Sequence, residues 1–163
     1  MNKQTGKSEN SVLIDNLVDL LNKGDAHVSL DEALKDIPFE ILGKKAGNLP
    51  YSLWQITEHI RIAQFDILEF SRDPDYQSPK WPEGYWPTAN ELGNAALWQE
   101  SVKNFREDLK QVEELISDSS IDLLAKIPHG SGQTILREAL LVADHNAYHL
   151  GVLLAISRLL ANK

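Results

Sequence analysis

The 163-residue sequence predicts an all-α fold: a four-helix bundle with a short connecting helix and one loop rich in proline and aromatic residues. Three observations carry this expectation. Apolar residues recur at alternating steps of three and four along the long segments, the spacing of one face of an α-helix. Every proline falls between those segments and none inside them. No stretch shows the apolar and polar alternation of a convincing strand.

The elements follow in order. Residues 1–10, "MNKQTGKSEN", read as a flexible polar tail, and residues 11–163 as a single domain. In "SVLIDNLVDLLNKG", Ile14, Leu17, Val18 and Leu21 share a helical face and Gly24 supplies a C-cap. "SLDEALKDIP" places Glu32 three residues after Ser29, a capping box, so a short connecting helix is expected up to Pro38. "FEILGKKAGNLPY" reads as loop. A long helix follows between Pro50 and Pro74, with Leu53, Ile56, Ile60, Ala63, Ile67 and Phe70 facing inward. A third runs from about Asn90 to Ile116 on Ala95, Trp98, Val102, Phe105, Leu109, Val112 and Ile116, with Lys103, Glu107, Lys110 and Glu114 toward water. "SDSSIDLLAKIPHGSGQT" is expected to be a connector with one helical turn. Gln133 or Thr134 then opens a last helix reaching about Asn162. Between the second and third long helices, "DPDYQSPKWPEGYWPTAN" holds four of the seven prolines together with Trp81, Tyr85 and Trp86. It reads as a stiff ordered loop whose aromatics either cap one end of the bundle or form a wall over a pocket.

Composition narrows the function. The chain is long enough to bury a core without a disulfide or a structural metal. It has no cysteine, which excludes disulfides, Cys-ligated zinc, iron–sulfur clusters and a cysteine nucleophile, so metal ligands must come from His, Asp or Glu. A net charge of -8 offers no electrostatic footprint for nucleic acid. The N-terminus lacks the apolar region of a signal peptide, and no segment has ~18 uninterrupted apolar residues. A cytoplasmic protein contacting neither nucleic acid nor membrane is expected.

One feature stands out chemically. "ADHNAYHLGVLLAI" puts His145 and His149 four residues apart, about 40° apart around the helix axis, so the two imidazoles project side by side. Their stripe continues through Glu138, Val142, Val152 and Ile156, so they lie on the apolar face. Two half-buried imidazoles need hydrogen-bond partners and resist protonation, which a shared metal ion or a satisfied polar core would both accommodate. The peptidase motif with Glu after the first His is absent, because residue 146 is Asn. His59, beside Ile56, Ile60 and Ala63 in the second long helix, is the best candidate for a third ligand. His27 and His129 fall in connectors and read as solvated or turn-forming residues.

With these residues in place, the chain from about Val12 to Leu160 resembles the DinB superfamily, including its YfiT-like metal-dependent hydrolases. The resemblance rests on "SLWQITEHIRIAQFDILEF", where the family's first metal histidine matches His59. It rests also on "ADHNAYHLGVLL", where an H-x3-H pair followed by Leu-Gly matches His145 and His149, and on the "WPEGYWP" loop. It implies a four-helix bundle of the DinB/YfiT-like type, often a homodimer, with His59, His145 and His149 holding a divalent ion: nickel or zinc foremost, manganese or iron as further options. It implies no DNA contact. Some relatives are thiol S-transferases that use low-molecular-weight thiols such as bacillithiol, mycothiol or glutathione.

A metal on three histidines activates water or a thiol at neutral pH, so a hydrolase and a thiol S-transferase are both expected readings, acting on a small-molecule substrate. A non-catalytic bundle that binds a metal or a small ligand is the alternative. Glu58, Asp66 and Glu138 are the candidate catalytic carboxylates, each equally readable as an ordinary salt-bridged or solvated acid. Asp144 and Tyr148 flank the histidine pair as outer or dimer-contact groups.

Overall fold

The computed structural model describes residues 9–22, 26–35, 37–88 and 94–161, and is two-thirds helical. Among the described residues there are six α-helices: α1 (Glu9–Asn22), α2 (Leu30–Lys35), α3 (Phe39–Leu42), α4 (Leu53–Arg72), α5 (Ala95–Ser117) and α6 (Ile135–Ala161). A 3-10 turn, Glu83–Tyr85, lies between α4 and α5, and no extended strand is present among the described residues. The all-α expectation is met.

Helix α4 is the centre of the assembly and packs along both α5 and α6, while α1 lies against α5 and α6. The reason is in its inward stripe: Leu53, Ile56 and Ile60 are fully buried, as are Leu153 and Ile156 of α6, and together with Trp98, Val102 and Phe105 of α5 they form one core. A second cluster joins Leu17 of α1 to Ile116, Leu123, Ile127, Ile135 and Ala139. By length and composition α6 could cross a membrane, but its apolar stripe is the one packed on α4, which a core helix requires equally.

Caps set the helix starts. At α4, Ser52 Oγ accepts from Gln55 N at 3.2 Å and Gln55 Oε1 accepts from Ser52 N at 3.1 Å, a reciprocal box worth about 1 kcal/mol. The Ser29–Glu32 box of α2 is formed as its spacing predicts. Thr134, not Gln133, caps α6 by accepting from Arg137 N at 3.1 Å. Asn94 caps α5, so that helix starts later than expected from Asn90. The Gly24 C-cap lies outside the described residues, as do residues 1–8 of the expected tail; Glu9 and Asn10 belong to α1.

Two connectors differ from expectation. "FEIL", read as loop, is a single helical turn started by extended Pro38 and buried through Leu42, too short to show a helical period. Conversely, residues 118–134 contain no helical turn. Asp118 accepts from Ser120 N and Asp122 from Leu124 N, and these local bonds favour turns over helix. Gly47, at φ 60°, occupies the left-handed region in the turn that leads back toward α4.

Between α4 and α5 lies Asp108, 7% exposed, with Oδ2 unpartnered. Burial pushes its carboxyl up to about 6, against the opposing pull of Arg61 and Arg72. An acid raised in the folded state destabilises it once ionised. Asp108→Asn is therefore expected to stabilise the protein by roughly 1–2 kcal/mol at pH 7.5, the gain shrinking below pH 6 and vanishing near pH 4. Urea midpoints across that range check this; an unchanged or lower midpoint at pH 7.5 refutes it.

Candidate metal centre

His59 projects from α4, and His145 and His149 from α6, where the two helices pack together. His59 is 3% exposed and the other two are half-buried. The Nε2 atom of His59 lies 3.1 Å from Nε2 of His145 and 3.1 Å from Nε2 of His149. One nitrogen from each ring lies within 4.8 Å of the others, a group able to hold a metal ion. With metal–nitrogen bonds of ~2.0–2.1 Å, nitrogens sharing one ion stand about 2.9 Å apart at a right angle and about 3.3 Å at a tetrahedral angle. The two spacings to His59 Nε2 fall between these values.

Hydrogen bonding decides how the rings are protonated. His59 Nδ1 is 2.8 Å from the carbonyl oxygen of Tyr85, which can only accept, so Nδ1 carries the proton and Nε2 presents its lone pair. Two imidazoles approach that lone pair at the same distance, and hydrogen bonding can satisfy only one of them well. A cation among the three accepts a lone pair from each, so the donor set fits a metal. Charge agrees: burial lowers His59, and burial followed by the neighbouring rings pushes His145 and His149 down to about 4. All three are neutral at pH 7, the state that binds a metal.

The proline-rich segment supplies more than a cap. Trp86 stacks on His59 with centroids 3.9 Å apart and also on Tyr51 at 4.2 Å. Tyr85 gives its backbone carbonyl to His59, while its phenol donates to Asp66 Oδ2 at 2.6 Å. Asp66 therefore reaches the centre only through Tyr85, holding the loop against α4. Burial, then Asp66, raises the Tyr85 phenol well above its usual value and pushes Tyr76 up to about 12. Gly84 permits the tight loop path, since a Cβ there would meet Pro79 Cβ at 2.7 Å.

The other two carboxylates are engaged elsewhere. Glu58 pairs with Arg61 at 2.6 Å and accepts from Ser101 Oγ of α5, so it faces away from the histidines. Glu138 is 3% exposed and paired with Arg137 at 2.7 Å, in a narrow recess with Ile67, Ser71 and Val112. Among the described contacts none of the three carboxylates bonds a histidine ring. Asp144 is exposed; Tyr148, 69% exposed, sets its ring edge-on to His149 at 4.8 Å. His27 and His129 are exposed in connectors, His129 bonded to the Phe70 carbonyl.

Sequence reasoning missed Trp86 as the ring on His59 and the Tyr85 carbonyl as its acceptor. The clustering of Trp81, Tyr85 and Trp86 flagged the loop, but nothing in it indicates which histidine it covers. A family model for the DinB superfamily matches residues 25–153, well over half of the chain. No curated protein and no solved structure matches it.

Proposed function

The chain belongs to the DinB superfamily, and from that membership and the three-histidine group we propose a metal-dependent enzyme on a four-helix bundle of α1, α4, α5 and α6. Its ligands are His59, His145 and His149, and it activates water or a low-molecular-weight thiol, as a hydrolase or a thiol S-transferase. The observation that carries this reading is the approach of His145 Nε2 and His149 Nε2 to His59 Nε2, each at 3.1 Å, with two of the rings still partly exposed.

A divalent ion bound there supplies Lewis acidity that lowers the pKa of a coordinated water or thiol. The chain's part is positional. The Tyr85 carbonyl holds His59 with Nε2 inward, Trp86 covers one face of that ring against solvent, and burial keeps the three imidazoles neutral. Three protein ligands leave a position for the nucleophile, as a closed fourth side chain would not. The exposed apolar face of α6, with Tyr148 and Leu159, supports assembly as a homodimer.

The test uses untagged protein incubated separately with nickel, zinc, manganese and iron(II), dialysed and analysed for metal. About one ion per chain is expected. The loaded protein is then given glutathione or bacillithiol with an electrophilic acceptor, and in parallel a panel of esters and amides. No retained ion with any of the metals rejects the site; a retained ion without turnover in either assay leaves the non-catalytic metal-binding bundle.

A further inference from the structure

Beside the centre, two polar atoms of adjacent residues are buried without partners: Asn146 Oδ1 and His145 Nδ1. The orientation of the Asn146 amide follows from a chain of bonds that starts on the backbone of α5. The Phe105 carbonyl can only accept, so the Gln64 group 2.8 Å from it is Nε2, and Gln64 must present Oε1 on its other side. Gln64 Oε1 in turn requires a donor, which is Asn146 Nδ2 at 2.9 Å. The remaining atom of the Asn146 amide is then an acceptor by necessity. Gln64 is fully buried, so water does not compete for this arrangement.

Neutral His145 carries one ring proton. If Nε2 is to offer a lone pair at the centre, that proton sits on Nδ1 and needs an acceptor. His59 has one in Tyr85. Asn146 lies close enough to the His145 ring to favour its protonated form slightly against the larger effect of burial.

We infer that Asn146 is a positioning residue: its Oδ1 accepts the Nδ1 proton of His145, so that the chain Phe105–Gln64–Asn146 selects the tautomer in which His145 Nε2 is free to bind a metal. This rests on the three-histidine reading. The bond satisfies both atoms, which are otherwise buried without partners. Asn146, which breaks the peptidase motif, thereby acquires a use in this one.

The experiment measures ring tautomers directly by long-range proton–nitrogen correlation on protein with 15N-labelled histidine, metal-free at pH 7.5. Wild-type His145 is expected as the Nδ1–H form. In Asn146→Leu it should shift toward Nε2–H, with zinc affinity in chelator competition falling ~10–100-fold. Asn146→Asp, which keeps an acceptor for His145 although it loses the Nδ2 donor to Gln64, should leave His145 in the Nδ1–H form. A wild-type His145 in the Nε2–H form overturns the inference without any variant, as does an Asn146→Leu protein whose tautomer and affinity match wild type. Failure of the underlying reading is distinct: wild-type protein would bind no zinc whatever the tautomer.

Discussion

Alanine at His145 is expected to abolish stoichiometric metal binding, the largest functional effect of any single substitution in this chain. Loss of an outer partner of a metal ligand costs ~10–100-fold in affinity, and loss of a ligand itself should exceed that upper figure. Two of the three converging nitrogens would remain, His59 and His149, 3.1 Å apart but with one side of the centre open. Thermal unfolding offers a second readout. A metal that binds only the folded state stabilises it by about 2.7 kcal/mol at a hundredfold excess over Kd, so zinc should raise the Tm of wild type and leave His145→Ala unmoved. His129→Ala is the control, since that ring is exposed and bonded to the Phe70 carbonyl away from the centre. Equal metal content in wild type and His145→Ala would remove His145 from the ligand set.

The largest stability effect is expected at Ile60→Ala. Ile60 of α4 is fully buried and belongs to the main core cluster, which also draws on α5 and α6, so truncation removes apolar contacts and leaves a cavity, at a cost of about 2–5 kcal/mol. For a domain whose total stability is on the order of 5–15 kcal/mol, that is a large fraction. Urea unfolding should show a lower midpoint with an unchanged slope. Its side chain is not a donor, and below the midpoint the variant should retain wild-type metal content. Phe65→Ala on the same helix, 37% exposed, should cost far less. Similar losses for both would mean that α4 does not bury the face assigned to it.

Several features of the site were legible because they depend on neighbours in the chain. The pairing of His145 with His149 needs only the helical repeat, and the inward direction of His59 needs only Ile56, Ile60 and Ala63 around it. Gln64 could have been noticed the same way: four residues after Ile60, it is a polar side chain on an apolar stripe, and it is fully buried. The candidate carboxylates show the limit of this reasoning. Glu138 and Asp66 lie seven residues from a histidine and nearly in line with it, yet one is paired to Arg137 and the other holds Tyr85. Direction around one helix says nothing about which neighbour fills the space opposite.

The long helices, the capping box of the short α2, the buried faces and the adjacency of the histidine pair were thus determined by the sequence alone, because each is set by interactions within a few residues. Only the tertiary structure decided that His59 meets His145 and His149, that the Tyr85 carbonyl and the Trp86 ring orient His59, and that Asp66 acts through the loop. Those relations join segments 19 to 90 residues apart. They depend on how α4 and α6 rotate and pack against each other, and a backbone carbonyl such as that of Tyr85 is common to every residue, so no letter in the sequence marks it.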